Sequence, residues 1–233
     1  QKVKRRKNLI LHSPPLNEKN IYFQLWWQKF LFKKELNSLN VDLLFTLDAA
    51  TLSSFQPQIV LSQDLLAYDR DLVSLYRYSK SWWRLTFIKL IQNNALSSAS
   101  GTVFLSDFAS NTIGNEIILN EQSKIIPHGV SPSFRSIAKI RRRENNTLKA
   151  VYVSPIAEYK NQVTVVEAAL LLHRSNHDIE IDLIGGAEIA SKNYLSKLQS
   201  VISKAENLGA KVRLLGKVPN DKLHLELKKY DLF

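Results

Sequence analysis

Cysteine is absent from this chain, which excludes disulfides, structural zinc–thiolate sites and a cysteine nucleophile, and is compatible with a reducing compartment. Methionine is absent too, an initiator included, and the chain begins on Gln1. The expectation is a fragment or a processed product, unfinished at its other end as well, where residues 228–233 read as a helix running into a new strand. No apolar run reaches the roughly 20 residues that cross a bilayer. The basic start, Lys2 to Lys7, has no apolar stretch behind it and is not a secretory signal. The histidines His12, His128, His173, His177 and His224 lack metal-ligand spacing, so no metal site is expected. No window has the polar, low-complexity composition of disorder.

What is present is enough apolar material, 45% of residues, to build a true core in one large or two small domains. The net charge of +11 implies attraction to something anionic. It is concentrated in residues 2–7, in residues 139–143, and beside a helical pattern at Arg77, Lys80 and Arg84. Nucleotide diphosphates and phospholipid headgroups fit this charge. A nucleic-acid module would interleave aromatics with its basic patches and carry a recognisable motif; neither is present, and no nucleic-acid partner is expected.

Strand and helix patterns alternate twice along the chain. In the first half, residues 9–11, 41–47, 58–61, 102–105 and 124–127 read as strands, and residues 21–39, 72–97 and 108–118 as helices. In the second half, strands are expected at 148–153, 179–184 and 212–215, and helices at 162–173, 192–208 and 220–230. Gly209 stops one helix as a C-terminal cap, and Pro219 suits the start of the next. Such alternation indicates an α/β protein with parallel, doubly wound sheets. The expected domains are residues 1–127 and 148–233, joined by a linker at 128–147 that holds turn chemistry and a basic, polar run. No sequence repeat relates the halves.

The most informative stretch runs from Val151 to Gln162 (VYVSPIAEYKNQ). A run of β-branched and aromatic residues breaks at Ser154 and Pro155. A short polar loop bearing Lys160 and Asn161 follows, then a helical pattern with Val163, Val166, Ala169 and Leu170 on one side. Strand, lysine loop and helix place a cation and free backbone N–H groups at the carboxyl edge of a parallel sheet, where α/β proteins hold phosphates. An ordinary solvated loop lysine is the competing reading.

Four segments, in this order and spacing, resemble the glycosyltransferase family 4 group, enzymes of the GT-B fold. They are residues 104–109 (FLSDFA), residues 125–130 (IIPHGV) with Phe134, the lysine-loop stretch itself, and residues 183–186 (LIGG) with 212–219 (VRLLGKVP). The resemblance covers roughly residues 55–233. It implies two Rossmann-like domains, an acceptor-side one and a nucleotide-sugar-binding one that is incomplete here. It also implies metal-independent sugar transfer, with no cofactor, from a nucleotide-sugar donor to a glycan or lipid-linked acceptor. Residues 59–69 are similar to a variant found in polysaccharide-assembly members, which points to retaining transfer in surface polysaccharide biosynthesis. The expected placement is cytoplasmic, or peripheral on the inner face of the cell membrane.

For single residues, the resemblance makes Lys160 the cation that meets the donor diphosphate, with Ser154 and Asn161 beside it. Gly185, Gly186 and Gly216 would allow close backbone approach, and Val218 would offer backbone groups to the base. Where many relatives carry a cleft histidine, this chain has Gln63 and Asp64, and Asp64 is the candidate catalytic residue; capping of the helix that follows competes with that role. The family's glycine–arginine pair after the first donor-domain strand is Ser154–Pro155 here. The glutamate-containing loop that grips the donor would follow Phe233, so residues 1–233 alone are expected to be inactive. A non-catalytic nucleotide-sugar or polyanion-binding domain and a GT-B-shaped epimerase are the alternatives. Within residues 72–97, Leu72, Leu75, Tyr76, Trp83, Phe87 and Leu90 are expected on one stripe, the core face of a helix with a basic edge. The same stripe beside Trp82 and Arg84 also reads as an interfacial surface for an anionic membrane.

Overall fold

The computed structural model describes residues 8–10, 12, 20–135 and 147–233. The basic runs at 2–7 and 139–143, and most of the expected linker, lie outside them. Two compact units are present, Gln1–Gly129 and Val130–Phe233.

The first unit holds a four-stranded sheet in the order β1 (Leu44–Thr46), β2 (Gln58–Ser62), β3 (Gly101–Phe104) and β4 (Ser123–Ile125). All three pairings are parallel. Val60, Leu96, Phe104 and Ile113 are fully enclosed in its core, with Ala49, Ala67, Tyr68, Ala99 and Ala109 around them.

Its helices depart from the expected ones. The pattern at 21–39 divides at Leu31 into α1 (Ile21–Phe30) and α2 (Phe32–Ser38). Trp27 and Leu36 are buried, yet nine residues at about 100° each would put them on opposite sides of one straight helix. The break lets both face inward. The Trp27 indole donates to the Glu35 carboxylate at 3.0 Å, and its ring packs 4.5 Å from Phe32. The pattern at 72–97 divides likewise into α3 (Arg70–Leu75) and α4 (Lys80–Ser98). Tyr78 turns the chain with φ +62°, and the Ser79 hydroxyl accepts from the Trp82 N–H at 3.2 Å, a helix N-cap.

The expected core stripe is not the buried face. α4 buries Leu85, Ile91, Gln92, Ala95 and Leu96, while Trp83, Phe87 and Leu90 are exposed. A stripe drawn across an interrupted helix is not one face. The helix expected at 108–118 ends early, as α5 (Asp107–Gly114). Leu9 and Ile10 are not in a strand, and Leu11 lies outside the described residues.

The second unit follows its pattern closely. β5 (Leu148–Val153), β6 (Ile179–Ile184) and β7 (Lys211–Gly216) form a parallel sheet in that order. α6 (Gln162–Arg174) and α7 (Lys192–Asn207) connect them, and α8 (Asn220–Glu226) follows β7. The helix expected to run to 230 instead tightens into a 3-10 turn at Leu227–Lys229. After α7, Gly209 takes φ +92°. Its N–H donates to the Glu206 carbonyl at 2.9 Å, and that of Ala210 to Ala205 at 3.0 Å, the paired bonds of a Schellman cap.

Side-chain alternation makes this sheet two-faced. Ile181, Leu183, Val212 and Leu214 pack with Val163, Val166 and Ala169 of α6 and Leu198, Ile202 and Ala205 of α7. On β6 and β7 the intervening residues include Asp182 and Arg213, register partners joined by bonds of 2.7 and 2.8 Å. The Tyr230 hydroxyl also donates to the buried Asp182 carboxylate, at 2.6 Å. Burial first, then that bond, raises the Tyr230 pKa.

Tyr230 lies where the chain has crossed back over the sheet. Leu232 bridges Ala150 in parallel. Its carbonyl accepts from the Val151 N–H at 3.0 Å, and its N–H reaches the Lys149 carbonyl at 3.2 Å. Because β6 occupies the other edge of β5, the chain reverses its winding direction at β5.

Candidate functional site

A winding reversal in an open parallel sheet leaves a crevice beyond the carboxyl ends of the strands, because connections on its two sides leave in opposite directions. In the second unit that point is the end of β5, where Ser154 to Asn161 form the lysine loop.

The loop is held by its backbone more than by its charges. The Ser154 N–H donates to the Ile184 carbonyl at 2.9 Å, and the Ile156 N–H to the Gly186 carbonyl at 2.8 Å. These two bonds continue the β5–β6 pairing into the loops. Ile156 and Ala157 are buried, and Ile156 belongs to the core cluster. The Ser154 hydroxyl donates to the Pro155 carbonyl at 3.0 Å. A short 3-10 turn, Glu158–Lys160, delivers Asn161 in a left-handed conformation (φ +52°) at the start of α6. Asn161 makes no side-chain cap bond. The first amides of α6, the positive end of a thirteen-residue helix, are therefore not capped by that side chain.

Lys160 is half-buried, with its ammonium 5.0 Å from the centre of the Tyr159 ring. Its own carbonyl accepts from the Tyr152 hydroxyl at 2.8 Å. Among the described residues it has no carboxylate partner. A cation that is not neutralised by a carboxylate, on a fixed backbone beside a helix N-terminus, can hold a phosphate.

Gly185 and Gly186 follow β6 on the same edge. A Cβ on Gly185 would lie 1.8 Å from the Ser154 carbonyl oxygen. Only glycine allows the two loops to touch there. A Cβ on Gly186 would meet the Glu188 carboxylate instead, the movable end of an exposed side chain. Gly216 closes β7 with φ +75°, and its carbonyl accepts from the Gly185 N–H at 2.9 Å. Val218 is half-buried two residues further on. Above this edge Lys217 pairs with Glu188 at 3.1 Å. The Glu188 backbone N–H, then Lys217, hold the Glu188 carboxyl below its ordinary range. The structure thus brings Ser154, Lys160, Asn161, Gly185, Gly186, Gly216 and Val218 to one edge of one sheet.

Asp64 belongs to the other unit, two residues beyond β2. It is exposed, and its carboxylate accepts from the Leu66 N–H at 2.8 Å. The helix cap that competed with its candidate role is Asp69, which accepts from the Leu72 N–H at 2.9 Å.

Sequence reading missed the side chains that brace the lysine loop. Gln162, the first residue of α6, is fully buried. Its amide nitrogen donates to the Pro155 carbonyl at 2.9 Å, and its amide oxygen accepts from the Tyr194 hydroxyl at 3.0 Å. Burial pushes the Tyr194 phenol pKa up. Ser191, the N-cap of α7, donates to the Glu158 carboxylate. No local pattern marks these residues, because their partners lie up to 33 positions away. Among the described residues no three His, Asp or Glu side chains gather as a metal-ligating group, and no helix is long and apolar enough to cross a membrane.

Residues 133–233 match the model of the family Glycosyl transferases group 1. No curated protein matches the chain by sequence. Among solved structures it is similar to sucrose-phosphate synthase from Thermosynechococcus elongatus, at 16% identity over 97% of this chain and 57% of that one, with a TM-score of 0.68. It is also similar to the Anabaena protein HepE, solved in complex with UDP-glucose, at 19% identity over 84% of this chain and 53% of that one, with a TM-score of 0.55. The α,α-trehalose 6-phosphate synthase of Burkholderia multivorans has 11% identity over 89% and 53%, with a TM-score of 0.53. The chain therefore spans little more than half the length of these structures, and at such identities the likeness is one of fold. Residues 133–233 are accordingly similar to the Glycosyl transferases group 1 family, in a chain whose two parallel α/β units have the GT-B fold.

Proposed function

We propose that the protein is a glycosyltransferase that moves a sugar from a nucleotide-sugar donor to a glycan or lipid-linked acceptor, with retention of configuration, in surface polysaccharide biosynthesis. The observation that carries this reading is the lysine loop at the winding reversal of the second sheet, facing the Gly185–Gly186 loop. UDP-glucose in the structure of HepE supports the donor class. As the bond from the sugar C1 to the diphosphate oxygen breaks, negative charge builds on the leaving diphosphate. Lys160 and the first amides of α6 stabilise that charge more than they stabilise the intact donor. The reaction uses no metal or organic cofactor, and Asp64 is assigned to the acceptor side. Residues 1–233 by themselves are expected to be inactive, since they span little more than half the length of the structures they resemble.

Replacing Lys160 with Ala in the full-length protein tests the assignment. Turnover is expected to fall roughly a hundredfold, donor affinity much less, and melting temperature hardly at all. Wild-type turnover in the mutant would remove Lys160 from the mechanism.

One face of the first unit favours a second placement, peripheral on an anionic membrane at the cytoplasmic side. Trp83, Phe87 and Leu90 of α4 recur at helical spacing and are 66%, 54% and 62% exposed. Lys80 and Arg84 lie on the same helix, which has no Asp or Glu, and the Arg77 guanidinium stands 5.0 Å from the Tyr78 ring just ahead of it. Aromatic and aliphatic side chains among cations fit the boundary between lipid headgroups and acyl chains. Co-sedimentation with phosphatidylglycerol vesicles is expected at low salt and should fade as screening shortens the reach of exposed charge to about 8 Å at physiological ionic strength. A Trp83→Ser, Phe87→Ser double variant should lose it. Binding that is unchanged in that variant, or absent at low salt, would refute the placement.

A further inference from the structure

We infer that Gln162 and Tyr194 form a positioning relay that sets the lysine loop from the first turn of α7, so that the two phosphate-facing loops of the second unit move as one body. This rests on the transferase reading for its catalytic consequence, but not for its structural content.

The relay begins with a buried amide that is bonded at both ends. Gln162 is 0% exposed. One end of its amide holds the Pro155 carbonyl at the start of the loop, and the other holds the Tyr194 hydroxyl. An apolar residue of similar size would fill the same space. It would take the Gln162 bond from both the Pro155 carbonyl, which would keep only the Ser154 hydroxyl, and the Tyr194 hydroxyl, and hydrogen bonds at a buried site are costly to lose. A buried polar network bonded at both ends favours one geometry where an apolar contact would accept several.

The direction of the contacts gives the relay its meaning. Tyr194 and Ser191 stand at the start of α7, directly after the loop that begins with Gly185 and Gly186. From there Tyr194 reaches Gln162, and Ser191 reaches Glu158 within the lysine turn. The Ile156 N–H joins the same two loops through the Gly186 carbonyl. Tyr152 fixes the far end by its bond to the Lys160 carbonyl. The backbone that carries Lys160 is therefore referenced to the glycine loop at three points, and to β5 at a fourth. A donor whose diphosphate lies between the loops would meet a cation already in place, without ordering the loop on binding.

The test uses Tyr194→Phe, which removes one hydroxyl and keeps the ring, and Gln162→Leu, which removes both bonds. Amide hydrogen exchange is followed across residues 156–161, where the Ile156, Lys160 and Asn161 N–H groups are all bonded, and across β5 and β6. In Tyr194→Phe, exchange in the loop is expected to quicken about fivefold, the equivalent of one ordinary hydrogen bond, with the strands unchanged. Adding Tyr194→Phe to Gln162→Leu should quicken it no further, since the relay is already cut. Turnover of the full-length enzyme should fall roughly tenfold while the donor dissociation constant, measured by calorimetry, changes less than about twofold. Loop exchange that is unchanged in Tyr194→Phe, or quickened equally in loop and strands, overturns the relay. So does full additivity of the two substitutions. If the wild-type protein binds no nucleotide sugar, the transferase reading falls, and the exchange comparison still decides the relay.

Discussion

The two units share one architecture and differ in how tightly local pattern dictates it. In the second unit the strands are six residues long, β6 and β7 set Glu180, Asp182, Lys211 and Arg213 opposite an apolar face, and α7 ends on a dedicated residue, Gly209. In the first unit, strands are three to five residues long and both long helical patterns are broken. The breaks come from tertiary demand, as when Trp27 and Leu36 must both turn inward. They also come from capping chemistry, as at Ser79. A periodic pattern describes a straight element, and it fails wherever burial rewards a bend.

Glycine substitution tests this contrast most severely. Gly185→Ala forces a Cβ to within 1.8 Å of the Ser154 carbonyl oxygen, backbone against backbone. It should destabilise the second unit by about 3 kcal/mol and, on the proposed function, abolish binding of nucleotide sugar. In the first unit, Gly114 ends α5, and its Cβ would make only an ordinary 3.5 Å contact with Leu119. Gly114→Ala should leave stability level or raise it by about 0.5 kcal/mol. Equal effects on denaturant midpoints would break the distinction between a close approach and a permissive helix end.

Alkaline titration separates the units next. Tyr68, buried in the first unit, donates to the Asn93 side chain at 2.6 Å. Burial, and then the nearby Glu116 carboxylate, push its pKa from 10.0 up to about 12. The unfolded chain therefore ionises first. Stability should be complete below pH 10 and fall as pH rises from 10 to 12, by about 2 kcal/mol for this group. Tyr68→Phe should flatten that fall for amides of the first unit, measured by exchange. The second unit keeps its own alkaline sensitivity through Tyr230, raised by burial and by Asp182.

The smallest effect is the most local. Ser79→Ala removes the hydroxyl that caps α4 and should cost about 1 kcal/mol. Exchange should quicken in the first turn of α4 and nowhere in the second unit. A loss spread over both units would contradict their description as separate compact bodies.

The lysine loop illustrates how much of the site was legible. Ser154 and the glycines at 185, 186 and 216 sit at strand ends, and Lys160 and Asn161 in the loop between a strand and a helix, boundaries readable from hydrophobic runs that stop at turn residues. Gln162, Tyr194, Glu158 and Ser191 were not readable as a group. A glutamine at the head of a helix has the same sequence appearance whether its amide faces water or spans two loops.

The α4 stripe illustrates the opposite error. Trp83, Phe87 and Leu90 carry the right spacing for a core face, but spacing gives a face without saying which way it points. Leu85, Ile91 and Leu96, on another face of the same helix, reach the core instead.

Order of elements, parallel α/β class and the place of the cation follow from sequence alone, since each depends on residues within a few positions of one another. Which helix face is buried, where helices bend, and what holds Lys160 in position were decided only in the folded chain. Those features depend on contacts between residues distant in sequence, such as Trp27 with Glu35 and Gln162 with Tyr194, and such contacts exist only once the chain has closed on itself.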